Sequence, residues 1–202
     1  MKELKTVLLI NTHLTYPNWS EGKLNGAFHQ AAKDFFTSKS IQVLETKVED
    51  DYIPEEEVEK HLEADIVILQ TPVNWFGAPW IYKKYADEVF NSGLSSQKFL
   101  TGDGRTRTDP TRQYGSGGRM QGKKFMICAT WNAPEEALGN PAQELLQGKN
   151  TSDLFLNITS NYRFCGCDII AGFNCFDIFK NENIVNDLEN YSTHLNSVFF
   201  DK

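Results

Sequence analysis

Three stretches of this chain are apolar from end to end: Val7 to Ile10, Ile66 to Leu69 and Phe125 to Ala129. A strand that shows one face to water alternates apolar and polar side chains, whereas a strand packed on both faces does not. Runs of this length therefore read as central strands of a parallel sheet covered by helices above and below. With their flanks they give strands at Thr6 to Asn11, Asp65 to Thr71 and Lys123 to Trp131.

The segments between them carry helical periods. Leu24, Ala27, Phe28, Ala31, Ala32, Phe35 and Phe36 keep one apolar face through three turns. Ile41 to Val48 is a second strand, and Pro54 to Ala64 an acidic, mostly solvated helix opened by proline. Pro79 opens a helix with Ile81, Tyr85, Val89 and Phe90 on one face and Gly93 placed to end it. Ser152 reads as the cap of a helix carrying Leu154, Phe155, Ile158, Tyr162 and Cys165, with Gly166 as terminator. Cys167 to Phe173 is a fifth strand, and a last helix starts near Glu182 and buries Ile184, Leu188, Tyr191, Leu195, Val198 and Phe199. Two segments lack a period: Gly93 to Gly122, and the turn-rich Asn132 to Gly148, where Pro141 can start a short helix. This alternation predicts an α/β fold, a doubly wound five-stranded parallel sheet with helices on both faces, as one domain over residues 1–202.

A chain of 202 residues that is 40% hydrophobic has room for one well-cored domain. Its formal charge of −7 argues against general binding to nucleic acid or anionic membranes, which reward Lys and Arg, and points to small molecules as partners. The apolar run near the amino terminus is too short for a signal-peptide core or a membrane span, so the expected location is the cytoplasm. There Cys128, Cys165, Cys167 and Cys175 read as reduced and buried. The Cys165-Gly166-Cys167 spacing is not a usual zinc pattern, and no metal is expected.

In such a sheet, ligands bind beyond the carboxyl ends of the strands, near the point where strand order reverses. Three loops leave those ends. The first brings Ser20, Glu21, Gly22, Lys23, Leu24 and Asn25 to the start of a helix, whose free N–H groups and dipole form an anion site. Ser20, Lys23 and His13 could add donors there, and an ordinary capped helix start is the plainer alternative. Neither a GxGxxG nor a GxxxxGK motif occurs, and Gly115-Ser116-Gly117-Gly118 precedes a strand instead of following one. The second loop, Pro72 to Ala78, holds Trp75 and Phe76; the third holds Thr130, Trp131, Asn132, Ala133 and Pro134. One such aromatic loop is as readily core as cofactor wall, but two at the same sheet edge favour a flat ligand.

The stretch Q-x-P-x-x-W-x-G-A-P-W-x-x-K-K-Y from Gln70, the GDGRTRTDPTRQYGSGG loop and the TWNAP turn resemble the flavodoxin-like NAD(P)H:quinone oxidoreductases, most closely the modulator of drug activity B group. The resemblance runs over nearly the whole chain up to about Phe176. It implies a homodimer that holds FAD through Ser20 to Ala27 (including Gly26), through Val73, Asn74, Trp75 and Phe76 after Pro72, through Tyr114, and through Thr130 to Ala133. It further implies two-electron reduction of quinones by NADPH, in a ping-pong cycle through the flavin. The Val73-Asn74 pair departs from the Gly-Trp of that group and marks the acceptor pocket as the point of difference. Two other readings stay open: an FMN-dependent nitro- or azoreductase on the same fold, and a non-catalytic nucleotide-sensing regulatory subunit.

Residues Gly93 to Lys124 carry Lys98, Arg105, Arg107, Arg112, Arg119, Lys123 and Lys124 against Asp103 and Asp109, a net +5 that leaves −12 on the remainder. Some of these arginines are candidates for the phosphates of NADPH, with Tyr114 as the catalytic residue whose hydroxyl donates to a quinone oxygen. A solvated loop or a dimer contact is the alternative.

Overall fold

The computed structural model describes residues 4–180 and 183–201. Its elements are β1 (Thr6–Asn11), α1 (Lys23–Ser38), β2 (Gln42–Lys47), α2 (Pro54–Glu63), β3 (Ile66–Pro72) and α3 (Trp80–Ser95). There follow β4 (Lys124–Thr130), α4 (Thr151–Leu154), α5 (Leu156–Phe164), β5 (Asp168–Ile169), β6 (Phe173–Cys175) and α6 (Ile184–Phe199). The sheet order is β2-β1-β3-β4-β5, with β6 also on β4 and every pairing parallel. Strand order reverses between β1 and β3, which is where a doubly wound sheet opens a crevice.

The apolar runs are buried on both faces, as their composition requires. One face packs Val7, Leu9, Met126 and Cys128 against Phe28 and Phe36 of α1 and Tyr191 and Leu195 of α6. The other packs Leu8, Ile10, Val67 and Phe125 against Val58 of α2, Tyr85 and Val89 of α3 and Ile158 and Tyr162 of α5. Tyr162 stacks on Phe125 with ring centroids 3.6 Å apart.

Several details differ from the sequence expectation. The fifth strand is two pieces, because the chain bulges: β4 advances from Phe125 to Cys128 while its neighbour advances from Ile169 to Phe173. At the bulge, a Cβ on Gly172 would lie 2.6 Å from the Ile127 carbonyl oxygen, so only glycine fits. Helix α3 runs through Gly93 to Ser95, and that glycine instead lets the Phe99 ring lie directly on the helix. The cap of α4 is Asn150 instead of Ser152: its Oδ1 accepts from Asp153 N at 3.0 Å while Asp153 Oδ2 accepts from Asn150 N at 2.9 Å. Pro141 starts turns, not a helix; the short helical turn lies earlier, at Glu135–Ala137. The expected helix start at Glu182 lies outside the described residues.

Helix α2 is also less solvated than its acidic sequence suggests. The buried Glu57 carboxylate accepts from Thr46 Oγ1 at 2.6 Å, Tyr85 OH at 2.8 Å and Lys60 Nζ at 2.6 Å, tying α2 to β2 and α3. Next to it His61 is fully buried, with Nδ1 on the Glu57 carbonyl at 2.8 Å and Nε2 3.2 Å from Tyr162 OH.

Candidate active site

The loops that leave β1, β3 and β4 enclose a cleft of about 740 Å³, joined by Ile178 and Phe179 from the segment after β6. That size falls in the range that encloses a small-molecule ligand. Every residue lining it is uncharged, and Tyr16, Trp19, Trp75, Trp80 and Phe179 give it aromatic walls.

The β1 loop builds the polar end. Gly22 caps α1 in a left-handed conformation at φ 73°, with no side chain closing the helix end. The first helical bond runs from Gly26 N to Gly22 O at 2.7 Å, so the N–H groups at the start of the helix point outward unspent. The His13 ring lies on the Gly22 Cα, where a Cβ would approach it to 2.6 Å, and its Nε2 shares a 3.2 Å hydrogen bond with Ser20 Oγ. Burial lowers the His13 pKa and favours the neutral ring. Beneath, Asn25 Nδ2 donates to Asn11 Oδ1 at 2.7 Å while Asn25 Oδ1 accepts from Gln70 Nε2 at 3.0 Å, which pins α1 to β1 and β3. Glu21 and Lys23 pair with each other at 2.7 Å on the surface, while Leu24 packs into the core and Gly26 and Ala27 are half-buried.

The β3 loop forms a two-residue hairpin. Asn74 N donates to Gly77 O at 2.8 Å and Gly77 N to Asn74 O at 3.2 Å, leaving Trp75 and Phe76 at the tip with φ of 50° and 67°. Left-handed backbone at both central residues is the hairpin geometry that asparagine and glycine favour. Here two bulky aromatics occupy it, and Trp75 is 94% exposed. Their N–H groups have no hydrogen-bond partner among the described residues. Pro72, Val73 and Asn74 line the cleft, with Val73 N held by Thr130 O at 2.9 Å.

Residues 5–195 match the family described as "Flavodoxin-like fold". The chain is 38% identical over 180 residues to NADPH:quinone oxidoreductase MdaB of Haemophilus influenzae, covering 89% of this chain and 92% of that one. This chain belongs to that flavodoxin-like NADPH:quinone oxidoreductase family. The fold is shared with a candidate quinone reductase from Klebsiella pneumoniae at TM-score 0.77 and 19% identity, over 97% of this chain and 85% of that one. It is shared too with general stress protein 14 of Treponema denticola, solved in complex with FMN, at TM-score 0.64 and 15% identity over 96% and 98% of the two chains.

Against the family expectation, the residues after β4 divide. Thr130 and Asn132 line the cleft and Ala133 is half-buried beside them. Trp131 turns away: its main chain continues the ladder to Cys175 O at 2.8 Å, which sends the indole into the core against Phe155, with Nε1 donating to Asn174 Oδ1 at 2.8 Å. As an aromatic wall of the cleft it is therefore corrected. Tyr114 is 70% exposed and packs on Phe164, at the end of α5 that leads into β5. That end faces the amino-terminal edge of the sheet, opposite the cleft.

The basic loop is largely spoken for within the chain. Arg105 pairs with Asp103 at 2.5 Å and lies over the Tyr114 ring, Lys98 pairs with Glu59, Arg119 donates to Gln97 O at 2.9 Å, and Lys123 closes the end of α2 through Leu62 O and Ala64 O. Tyr16, Trp19, Trp80, Ile178 and Phe179 were not among the expected site residues. The two aromatics around Pro17-Asn18 gave a readable signal, whereas Ile178 and Phe179 reach the cleft only because the fifth strand extends past its expected end at Phe173.

Proposed function

We propose that this chain is a flavin-dependent NADPH:quinone oxidoreductase that holds FAD in the cleft between α1 and the Trp75 hairpin. The observation that carries the proposal is the cleft's chemistry: an aromatic, uncharged enclosure with unspent N–H donors at both ends. Such a lining has no acid or base of its own, so the reacting group must be supplied by a cofactor. When bound, the flavin supplies hydride chemistry, taking two electrons from NADPH and passing them to a quinone that follows it into the same place.

The chain's part is position and electrostatics. The open start of α1, from Ser20 to Ala27, suits a diphosphate, with His13 orienting the Ser20 hydroxyl. The N–H groups of Trp75 and Phe76 suit the oxygens and nitrogens of the ring system, where they favour extra negative charge. Pro72, Val73, Asn74, Thr130 and Asn132 shape the floor. The hairpin from Tyr16 to Ser20 lengthens the cleft beyond the helix start, which supports FAD over the smaller FMN.

We read the working unit as a homodimer in the cytoplasm, and residues 1–202 as one domain. Trp80, Leu94 and Leu156 are exposed along α3 and α5, a surface suited to a second copy. Tyr114, remote from its own cleft, would reach the quinone bound to the partner and donate from its hydroxyl; Arg107 and Arg112 on the same loop would meet NADPH phosphates. The four free, buried cysteines fit a reducing compartment.

The test is to release the bound flavin from the purified protein, identify it by chromatography and measure the particle mass in solution. FAD on a dimer is expected. FMN would move the chain to the second reading, and a protein that binds neither flavin would overturn the proposal.

A further inference from the structure

We propose that the groove along the open edge of the sheet is a second ligand site, for an elongated amphipathic carboxylate. It lies between α5 and the β5–β6 edge, encloses about 530 Å³ and shares no lining residue with the main cleft. Its floor is apolar, from Ile127, Phe155 and Ile169. Arg163 stands at one end, in the last turn of α5, and its guanidinium has no ion-pair or hydrogen-bond partner among the described residues. At the other end the hydroxyls of Thr151 and Ser152 are also without a partner. Arg163 lies eleven positions after Ser152 in largely helical chain, roughly 16 Å at 1.5 Å per residue. The ligand that matches is a chain about that long with an apolar body and an anionic head on the arginine.

The bulge between Ile169 and Phe173 borders the groove, and Ala171 and Gly172 in it contribute little side chain to the lining. The same interruption argues against a peptide adding as a further strand, since short and bulged edges resist pairing. The site also has a physical route to the main cleft. Phe155 and Asn174, both lining the groove, hold the indole of Trp131, and the neighbours Thr130 and Asn132 line the cleft. Occupancy of the groove should therefore alter acceptor binding, a consequence that rests on the function proposed above.

The experiment titrates the purified full-length protein with decanoate and, separately, with decanol, following heat by calorimetry. Decanoate is expected to bind about tenfold or more tightly than decanol, the contribution of one charge-assisted hydrogen bond. Arg163→Gln should remove that preference, and Ala171→Trp, which fills the groove, should abolish binding of both while NADPH-menadione turnover persists. Equal affinity for the two probes, no binding of decanoate, or binding that survives Ala171→Trp would each overturn the site. Decanoate should also shift the menadione KM of the wild type and not of Ala171→Trp. Calorimetric binding with an unchanged KM would refute the route through Trp131 alone, and a protein without quinone turnover would refute the proposed function while leaving the binding result to stand.

Discussion

Trp75 sits where the fold would prefer another residue, and replacing it should make the free protein more stable. Its φ of 50° is left-handed, a conformation that costs a bulky side chain about 1–2 kcal/mol and that asparagine tolerates. With 94% of the residue exposed, the indole contributes almost no packing to offset that cost. Trp75→Asn should therefore raise the stability of the flavin-free protein by about 1 kcal/mol, or about 2–4 °C in Tm for a chain of this size. The same change removes an aromatic face from the cleft, worth about 0.5–1.5 kcal/mol, so flavin or quinone should bind about two- to tenfold more weakly. The assay is calorimetric unfolding of apoprotein, because bound cofactor stabilises the native state by mass action and would mask the gain. A Tm that falls, or a gain accompanied by unchanged binding, would refute the idea that the hairpin keeps a strained aromatic tip for its ligand.

Three further outcomes follow from named contacts. Gly22→Ala should cost about 2 kcal/mol or more and weaken flavin retention, since the methyl meets both a left-handed backbone and the His13 ring; denaturant melts and flavin content check it. Burial depresses the His61 pKa to about 4, so the unfolded chain takes up a proton that the native one refuses between pH 6.5 and 4. The stability is present in full above about pH 6.5 and should fall by about 3 kcal/mol on acidification to pH 4, a slope that His61→Gln should flatten in denaturant titrations. Glu57→Ala should destabilise by about 3–5 kcal/mol, because it strands the buried hydroxyls of Thr46 and Tyr85 beside the Lys60 ammonium; quinone turnover at low temperature should be retained.

The parallel strands were legible because burial on both faces leaves an unbroken apolar run, and the observed β1, β3 and β4 begin and end within a residue of those runs' expected limits. The loops at their ends were legible for the same reason: once the strand ends are fixed, the doubly wound topology says which loops converge. What the sequence hid was tertiary. Glu57 lies in a run of glutamates that reads as solvent-facing, and only the approach of β2 and α3 gives its carboxylate three donors. Trp131 follows an aromatic-loop pattern, yet one more rung of sheet pairing turns its indole inward. The break in the fifth strand depends on how close Gly172 comes to Ile127, which no local pattern encodes. Tyr114 lies in a segment without period, so its place opposite its own cleft could not be read from spacing.

One anaerobic measurement tests the flavin-dependent reductase most directly. The oxidised protein is mixed with NADPH, its visible absorption is followed to completion, and menadione is then added. Stoichiometric bleaching followed by full recovery of the oxidised spectrum is the predicted result. Bleaching that menadione does not reverse would point to a nucleotide-sensing protein instead, and the absence of any NADPH-bleachable chromophore would contradict the flavin-dependent reductase itself.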